Sequence, residues 1–384
     1  MGIIPTSDKF PLLVVINPNS GQKLGLQIFE TTIKPALDQA GKSFRLIESS
    51  SQGHAQSYFL DNIKPILTDL VQSLSVVDGA TSSVTPPTSA TLQIMVIGGD
   101  GTVHEIVNGI LQSIKDSPFA SDMFRPKVEF TIIPAGTGNA ISTSLGIKDA
   151  QDALDRFLAG KTVPMRMMAV STRSKKDFED AVENQWKVLV YTVVVNSYGL
   201  HCATVFDAEE FRHLGNERFR QAAMKNVANL KQYEGRLDFY GPVQSYDRTS
   251  RMLTVVARLD NRSGSTLTLL GPFTYLLITK QASLEPGFTP TPLADSSDEW
   301  MDVLAVQNVG QSEIMQMFDA TPNGQHIEQE KVEYFKAKTI ELETPNQGRL
   351  CVDGEFLPIH GGSEGRIRFE IDSDPNTQIF SVFV

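Results

Sequence analysis

Hydrophobic positions follow two rhythms along this chain. Up to about residue 160, short apolar runs alternate with amphipathic stretches. Leu12-Leu-Val-Val-Ile16, Phe44–Ile47, Leu92–Ile97 and Glu129–Ile133 read as strands, and helical spacing covers Leu24–Leu37 and Ala55–Leu74. The clearest helix follows Ile97, where Val103, Ile106, Val107, Ile110, Leu111 and Ile114 fall on one face. Such alternation predicts an α/β domain with a mostly parallel sheet and helices on both faces. After about Lys161 strand-like runs dominate: Lys187–Val195, Arg236–Tyr240, Met252–Arg258, Tyr275–Lys280, Val303–Val306, Thr339–Glu343, Ile367–Ile371 and Ile379–Val384. Gly, Pro, Asp and Asn turns separate many of them, the pattern of a mostly antiparallel β-sandwich. Helical stretches around Asn216–Lys231 and Ser312–Asp319 interrupt it. The expected division is an α/β domain over 1–161 and a β-sandwich over 162–384, with Asp78–Ala90 as a polar, proline-bearing surface insert.

Bulk properties narrow the function classes. The 384 residues suggest two domains, and 41% hydrophobic content supplies full cores. A net charge of −11 argues against a nucleic-acid partner, although Arg212, Arg218, Arg220, Lys225 and Lys231 form a local basic cluster. Two cysteines, Cys202 and Cys351, give no disulfide framework and fit a reducing, cytoplasmic setting. Met1–Phe10 lacks the basic and apolar regions of a secretory signal. Met1-Gly2 with Thr6 matches the loose form of a myristoylation site, against which Pro5 argues. No apolar run approaches the roughly 18 residues of a membrane span. Without such a span, any contact with a membrane surface would be transient and from the aqueous side.

The chemistry is concentrated where three strands end. Asn17-Pro-Asn-Ser-Gly21, Gly98-Gly-Asp-Gly-Thr102 and Pro134-Ala-Gly-Thr-Gly-Asn139 each lead from a strand toward a helix. In an open parallel sheet these loops share the carboxyl edge, where ligands bind. Unsatisfied N–H groups and the helix dipole make such junctions attractive to phosphate. A carboxylate there, Asp100, would repel that ligand unless it activates a hydroxyl or holds a metal. The loops match neither the Walker pattern nor the dinucleotide fingerprint. Thr102 and Glu105 also have capping-box spacing, and Asp353-Gly354 has the form of a hairpin turn.

Taken together these loops, with His104-Glu105 and Asn108-Gly109, resemble the nucleotide-site blocks of the diacylglycerol kinase catalytic superfamily. That group of lipid kinases includes the diacylglycerol, ceramide and sphingosine kinases. Phe211-Arg-His-Leu-Gly-Asn-Glu-Arg-Phe219, Tyr233-Glu-Gly-Arg-Leu237, Met301-Asp-Val303 and Val352-Asp-Gly-Glu355 extend the resemblance toward the sphingosine and ceramide kinase branch. The resemblance covers about Pro11 to beyond Glu355.

It implies ATP and Mg2+ as cofactors and transfer of the γ-phosphoryl group to a hydroxyl of a sphingoid base or related lipid. The alternatives are a neutral-lipid kinase of the ceramide or diacylglycerol type, a kinase for a soluble acceptor, and a non-catalytic nucleotide or lipid sensor. Asn17, Asn19, Ser20, Gly21, Gly98, Gly99, Gly101, Thr102, Gly136, Thr137, Gly138 and Asn139 are expected to cradle the nucleotide, with Glu105 near the ribose or adenine. Arg212 and Arg218 are expected to hold its phosphates and Asp353 the magnesium. Asp100 is the candidate general base, with Glu355 a second catalytic carboxylate. In the sphingosine branch an acidic residue before the arginine segment meets the amino-alcohol head. Here Tyr198–Phe206 has no carboxylate, which leaves Asp207 or, for a neutral head, His201 as substrate contacts. Oligomeric state is not legible.

Overall fold

The structure is a computed structural model that describes residues 12–75, 91–115, 126–172, 186–215, 217–256, 264–362, 365–372 and 378–384. The Asp78–Ala90 insert and the Met1–Phe10 segment lie outside the described residues. The chain divides into one unit of Met1–Met165 with Ser373–Val384 and a second of Arg166–Asp372.

In the first unit, strands β1 (Leu12–Ile16), β2 (Phe44–Glu48), β3 (Thr91–Gly98), β4 (Lys127–Pro134) and β5 (Thr162–Pro164) join the C-terminal strand Phe380–Phe383 in a six-stranded sheet. Its order is β2-β1-β3-β4, then Phe380–Phe383, then β5, and all pairs are parallel except the last. Helices α1 (Gly25–Ile28), α2 (Lys34–Gln39), α3 (His54–Ser75), α4 (Asp100–Ile114), α5 (Ala140–Ser144) and α6 (Ala150–Ala159) connect these strands. The amphipathic stripe lies where its spacing predicts: Val103, Ile106, Val107, Ile110, Leu111 and Ile114 of α4 are all buried. Burying each such side chain contributes roughly 1.5–3 kcal/mol. The helix expected over Leu24–Leu37 is split by a π-helical turn at Phe29–Ile33, just ahead of Pro35, which has no N–H to continue an α pattern.

The expected boundary at 161/162 moves, because the last strand belongs to the first sheet rather than to the sandwich. Phe380 stacks on Phe130 and Phe383 meets Phe157 edge-on, so the strand buries its aromatic rings against the first unit's own core.

The second unit is built on one 12-stranded sheet whose pairings are antiparallel. Leu237, Phe239, Met301, Phe335, Ile340 and Phe369, from strands far apart in that order, share one core, so the sheet curls over on itself. Helices α7 (Leu200–Asp207), α8 (Glu217–Ala228) and α9 (Gln311–Ala320) are set among its strands, with a 3-10 segment at Ala208–Leu214. The run expected as one strand, Lys187–Val195, ends at Thr192, and a new strand covers Val195–Gly199.

Candidate active site

β1 pairs with β2 on one side and β3 on the other, so the loops after β1 and β3 flank the switch point of the sheet, where open α/β folds bind ligands. The Asn17 amide donates to Ile97 O at 3.0 Å, and the Ala135 amide to Gly98 O at 3.0 Å, which ties all three loops at their roots. Asn17 Nδ2 donates to Thr102 Oγ1 at 3.2 Å, and its Oδ1 accepts the Asn19 amide at 3.1 Å.

Above this root the loops touch through backbone. A Cβ on Gly136 would lie 2.4 Å from Gly99 Cα, one on Gly99 2.9 Å from Gly138 O, and one on Gly21 2.5 Å from Ala135 O. Only glycine permits this approach. Ser20 Oγ lies 3.6 Å from where a Gly99 Cβ would be, and Thr102 Oγ1 3.0 Å from where a Gly98 Cβ would be. Gly101 differs, since a side chain there would meet nothing within 4 Å. Asn139 braces the third loop, accepting the Gly136 amide at 3.0 Å and donating to Gly136 O at 2.8 Å; Thr137 between them is half-buried. The N-cap of α4 is Gly99, which has no side chain to offer the first amides of that helix. A cradle of glycine backbone beside such a helix start fits a phosphate chain.

Two carboxylates in this unit have partners that lie far away in sequence. Asp100 accepts the amides of Ala140 at 2.7 Å and Ile141 at 3.1 Å, capping α5 across the loops. A carboxylate has about four lone-pair positions. These two bonds take up two of them and fix the third loop. Glu105 does not cap its own helix, so the capping-box reading does not hold. Its two oxygens accept the amides of Gly53 at 2.8 Å and Ala55 at 3.1 Å, at the start of α3.

In the second unit the two arginines converge on Glu209. Arg212 Nη2 lies 2.8 Å from one carboxylate oxygen and Arg218 Nη1 3.3 Å from the other. The turn at Gly215 between the 3-10 segment and α8 brings residues six apart onto one anion. Arg212 is 73% exposed, whereas Arg218 is 18% exposed, packs its guanidinium on Phe219, and has an Nε without a hydrogen bond among the described residues. Burial lowers the Arg218 pKa and Glu209 opposes that shift. The role of Glu209 depends on this turn, which spacing along the chain does not reveal.

The expected substrate contacts are placed differently. Asp207 accepts from Asn226 Nδ2 at 3.1 Å and pairs with Lys225 at 3.3 Å, so its charge is already compensated. His201 sits on helix α7. Its Nδ1 is 2.8 Å from Ser197 Oγ, its ring meets Tyr275 edge-on, and burial pulls its pKa down to about 4, so it is neutral. Met317 is packed in the core while Met315 is 42% exposed.

Asp353 and Gly354 form the expected hairpin turn, both with positive φ, joining strands Gly348–Val352 and Glu355–Ile359. Asp353 Oδ2 accepts the Val193 amide at 2.7 Å, and Oδ1 accepts those of Val194 at 2.9 Å and Val195 at 2.8 Å. This carboxylate makes the bend that splits the expected strand at Val193. Asp353 is thus tied to three amides of the second unit, and no group of three or more His, Cys, Asp or Glu side chains among the described residues would hold a metal. Glu355 is exposed at the start of its strand.

Comparison with known proteins agrees with this division. Residues 11–170 match the diacylglycerol kinase catalytic domain, and residues 194–364 the YegS C-terminal NAD kinase beta sandwich-like domain. The chain is 23% identical over 390 residues to sphingosine kinase 1 of Arabidopsis thaliana, covering 94% of this chain and 70% of that protein. It is 24% identical over 388 residues to human sphingosine kinase 1, covering 93% and 88%. A crystal structure of a diacylglycerol kinase from Bacillus anthracis has the same fold, with TM-score 0.55, 16% identity, and coverage of 98% of this chain and 97% of that one. On these matches the chain joins a diacylglycerol kinase catalytic domain to a YegS C-terminal-like domain and is a lipid kinase, a phosphotransferase.

Proposed function

We propose that the protein transfers the γ-phosphoryl group of ATP to a hydroxyl of a long-chain sphingoid base. The observation that carries the nucleotide half is the direct backbone contact among the loops at Gly21, Gly99 and Gly136, beside a helix start with no side-chain cap. The acceptor class rests on the relatives, which are sphingosine kinases.

In this reading Asn17, Asn19, Ser20, Gly98, Gly101, Thr102, Thr137, Gly138 and Asn139 complete the cradle. Magnesium, carried in with the nucleotide phosphates, neutralises their charge when bound. Asp100 accepts the proton of the attacking hydroxyl and keeps the third loop in register. Arg212 and Arg218 supply forked donors to phosphate oxygens, a geometry suited to delocalised negative charge. Glu355 is the second carboxylate of the reaction. No helix among the described residues is long and apolar enough to cross a membrane, and peripheral contact from the cytoplasm is the proposed mode of access.

A neutral acceptor such as ceramide or an acylglycerol is the second reading, favoured by the pairing of Asp207 with Lys225. Purified protein incubated with γ-labelled Mg-ATP and mixed micelles of sphingosine, ceramide, diacylglycerol or monoacylglycerol separates the two. Label in sphingosine that is lost in Asp100→Asn supports the proposal. Label confined to a neutral lipid replaces it with the second reading, and ATP binding without any labelled lipid rejects both.

A further inference from the structure

The strands Phe273–Thr279 and Met301–Gln307 are antiparallel neighbours, with Thr279 opposite Asp302, yet the connection between them runs over residues 280–300. It contains no helix and no strand. Connections longer than about 12–15 residues without such structure are uncommon in compact domains. This one is gathered at its neck by one atom, Lys280 Nζ. Lys280 is 0% exposed, and lysine is almost never buried so completely without partners. Four oxygens surround its ammonium: Trp300 O at 2.5 Å, Asp298 Oδ1 at 2.7 Å, Asp298 O at 2.8 Å and Asp295 O at 2.9 Å. An ammonium has three N–H donors, so the cage offers more oxygens than the lysine can bond singly.

Turns within 295–300 aim these oxygens without help from the lysine. Asp295 Oδ1 accepts the Ser297 amide at 2.8 Å, Asp295 O the Asp298 amide at 3.3 Å, and Asp298 Oδ1 the Trp300 amide at 3.0 Å. The charges around the cage also balance. Asp298 Oδ2 accepts from Lys336 Nζ at 2.9 Å, the same ammonium lies 3.2 Å from Asp302 Oδ2, and Tyr334 donates to Asp302 Oδ1 at 2.5 Å. Two lysines thus face two aspartates, and without the Lys280 charge this group would carry one net negative charge.

We infer that Asp295, Asp298 and Trp300 form a binding site for a monovalent cation of potassium's size, and that the Lys280 ammonium is its tethered occupant. Three carbonyls and a carboxylate can only accept, so the site calls for a cation. Backbone carbonyls are the groups with which proteins replace the water around potassium. Every distance exceeds the about 2.0–2.1 Å of magnesium sites, and three of the four exceed the about 2.3–2.6 Å of calcium sites. A single charge restores the balance with Asp298, Asp302 and Lys336, whereas a divalent ion would overshoot it. The donors are mostly main-chain oxygens, so no cluster of acidic and histidine side chains marks the site. By carrying its own cation the chain makes the fold of residues 280–300 independent of the salt around it. The site is separate from the nucleotide cradle and does not depend on which lipid is phosphorylated.

The test removes the tethered cation and offers a free one. Melting temperatures are measured for the full chain as wild type, Lys280→Ala, Lys280→Met and Lys280→Ala with Asp298→Asn, in choline chloride and in KCl, NaCl, MgCl2 or CaCl2 at equal ionic strength. Lys280→Ala empties the cage, and its melting temperature should rise by about 5 °C when about 0.2 M choline is replaced by potassium. The wild type should not respond. Lys280→Met, which fills the space with an uncharged chain, should respond little, and loss of the Asp298 charge should abolish the rescue. If Lys280→Ala does not fold in choline, it is refolded from urea in each salt, and recovery in KCl alone supports the site. Identical melting of Lys280→Ala in choline and potassium, an equal potassium response in the wild type, or no folding of the variant in any salt overturns the inference. A larger rescue by magnesium or calcium than by potassium overturns the assignment to a monovalent cation.

Discussion

Asp100 Oδ2 accepts the amide of Ala140 at 2.7 Å, so the residue expected to take a proton from the substrate also holds the neighbouring loop. Its other oxygen accepts the next amide, of Ile141. Asparagine at this position could keep only one of these bonds and would turn an N–H toward the other amide. Asp100→Asn should therefore abolish turnover and also weaken ATP binding by about tenfold, the scale of one charge-assisted hydrogen bond. Isothermal titration with ATP checks this. Wild-type ATP affinity in an inactive variant would reduce Asp100 to a base alone.

The glycine contacts make a graded prediction. In Gly136→Ala the new methyl would lie 2.4 Å from Gly99 Cα, so the loops must part. ATP binding should be lost and stability reduced by roughly 1–3 kcal/mol, the usual range for overpacking. In Gly101→Ala the methyl meets no protein atom within 4 Å, so the loops stay together and the melting temperature should stay near wild type. Equal effects of the two substitutions would show that the loops do not depend on backbone contact.

The arginines should not be equivalent. Arg218 is partly buried and stacked on Phe219, whereas Arg212 is largely exposed and screened by solvent. Arg218→Ala should lower kcat/KM for ATP by about a further tenfold relative to Arg212→Ala, and the contribution of Arg212 should fade as salt is raised. A larger loss in Arg212→Ala would reverse this assignment.

His201 gives a pH signature. Burial lowers its pKa from 6.5 to about 4, so between these values the unfolded chain binds the proton and the folded one does not. Stability is therefore full above 6.5 and is lost as the pH falls toward 4, by up to about 3 kcal/mol from this group. His326, also lowered by burial, adds in the same direction. Melting temperature measured from pH 7 to 4 should fall less steeply in His201→Gln than in the wild type. Parallel curves would show that His201 takes protons as freely in the fold as out of it.

What was legible in the sequence was local. The stripe on α4 and the three loops after β1, β3 and β4 follow from spacing and from glycine, and the Asp353-Gly354 hairpin from its turn residues. What was hidden is where side chains find partners across long separations. Glu105 has correct spacing for its own helix cap yet binds amides 52 and 50 residues earlier. Asp353 reaches amides 160, 159 and 158 residues back. Periodicity gives an element and its buried face, not the element packed beside it. The start of α7 is hidden for a related reason. The apolar run around Tyr198–Phe206 suits a strand, but Gly199, at φ +81°, ends the strand and α7 begins at once.

The strand Phe380–Phe383 sets a sequence of events in synthesis. It lies between β4 and β5, so the nucleotide-binding sheet lacks an interior strand until every residue of the second unit has been translated. A nascent chain halted after residue 372 would hold all three phosphate loops on a sheet with an open seam beside β4. Closure of the sheet that carries these loops is thereby made to follow synthesis of the whole second unit.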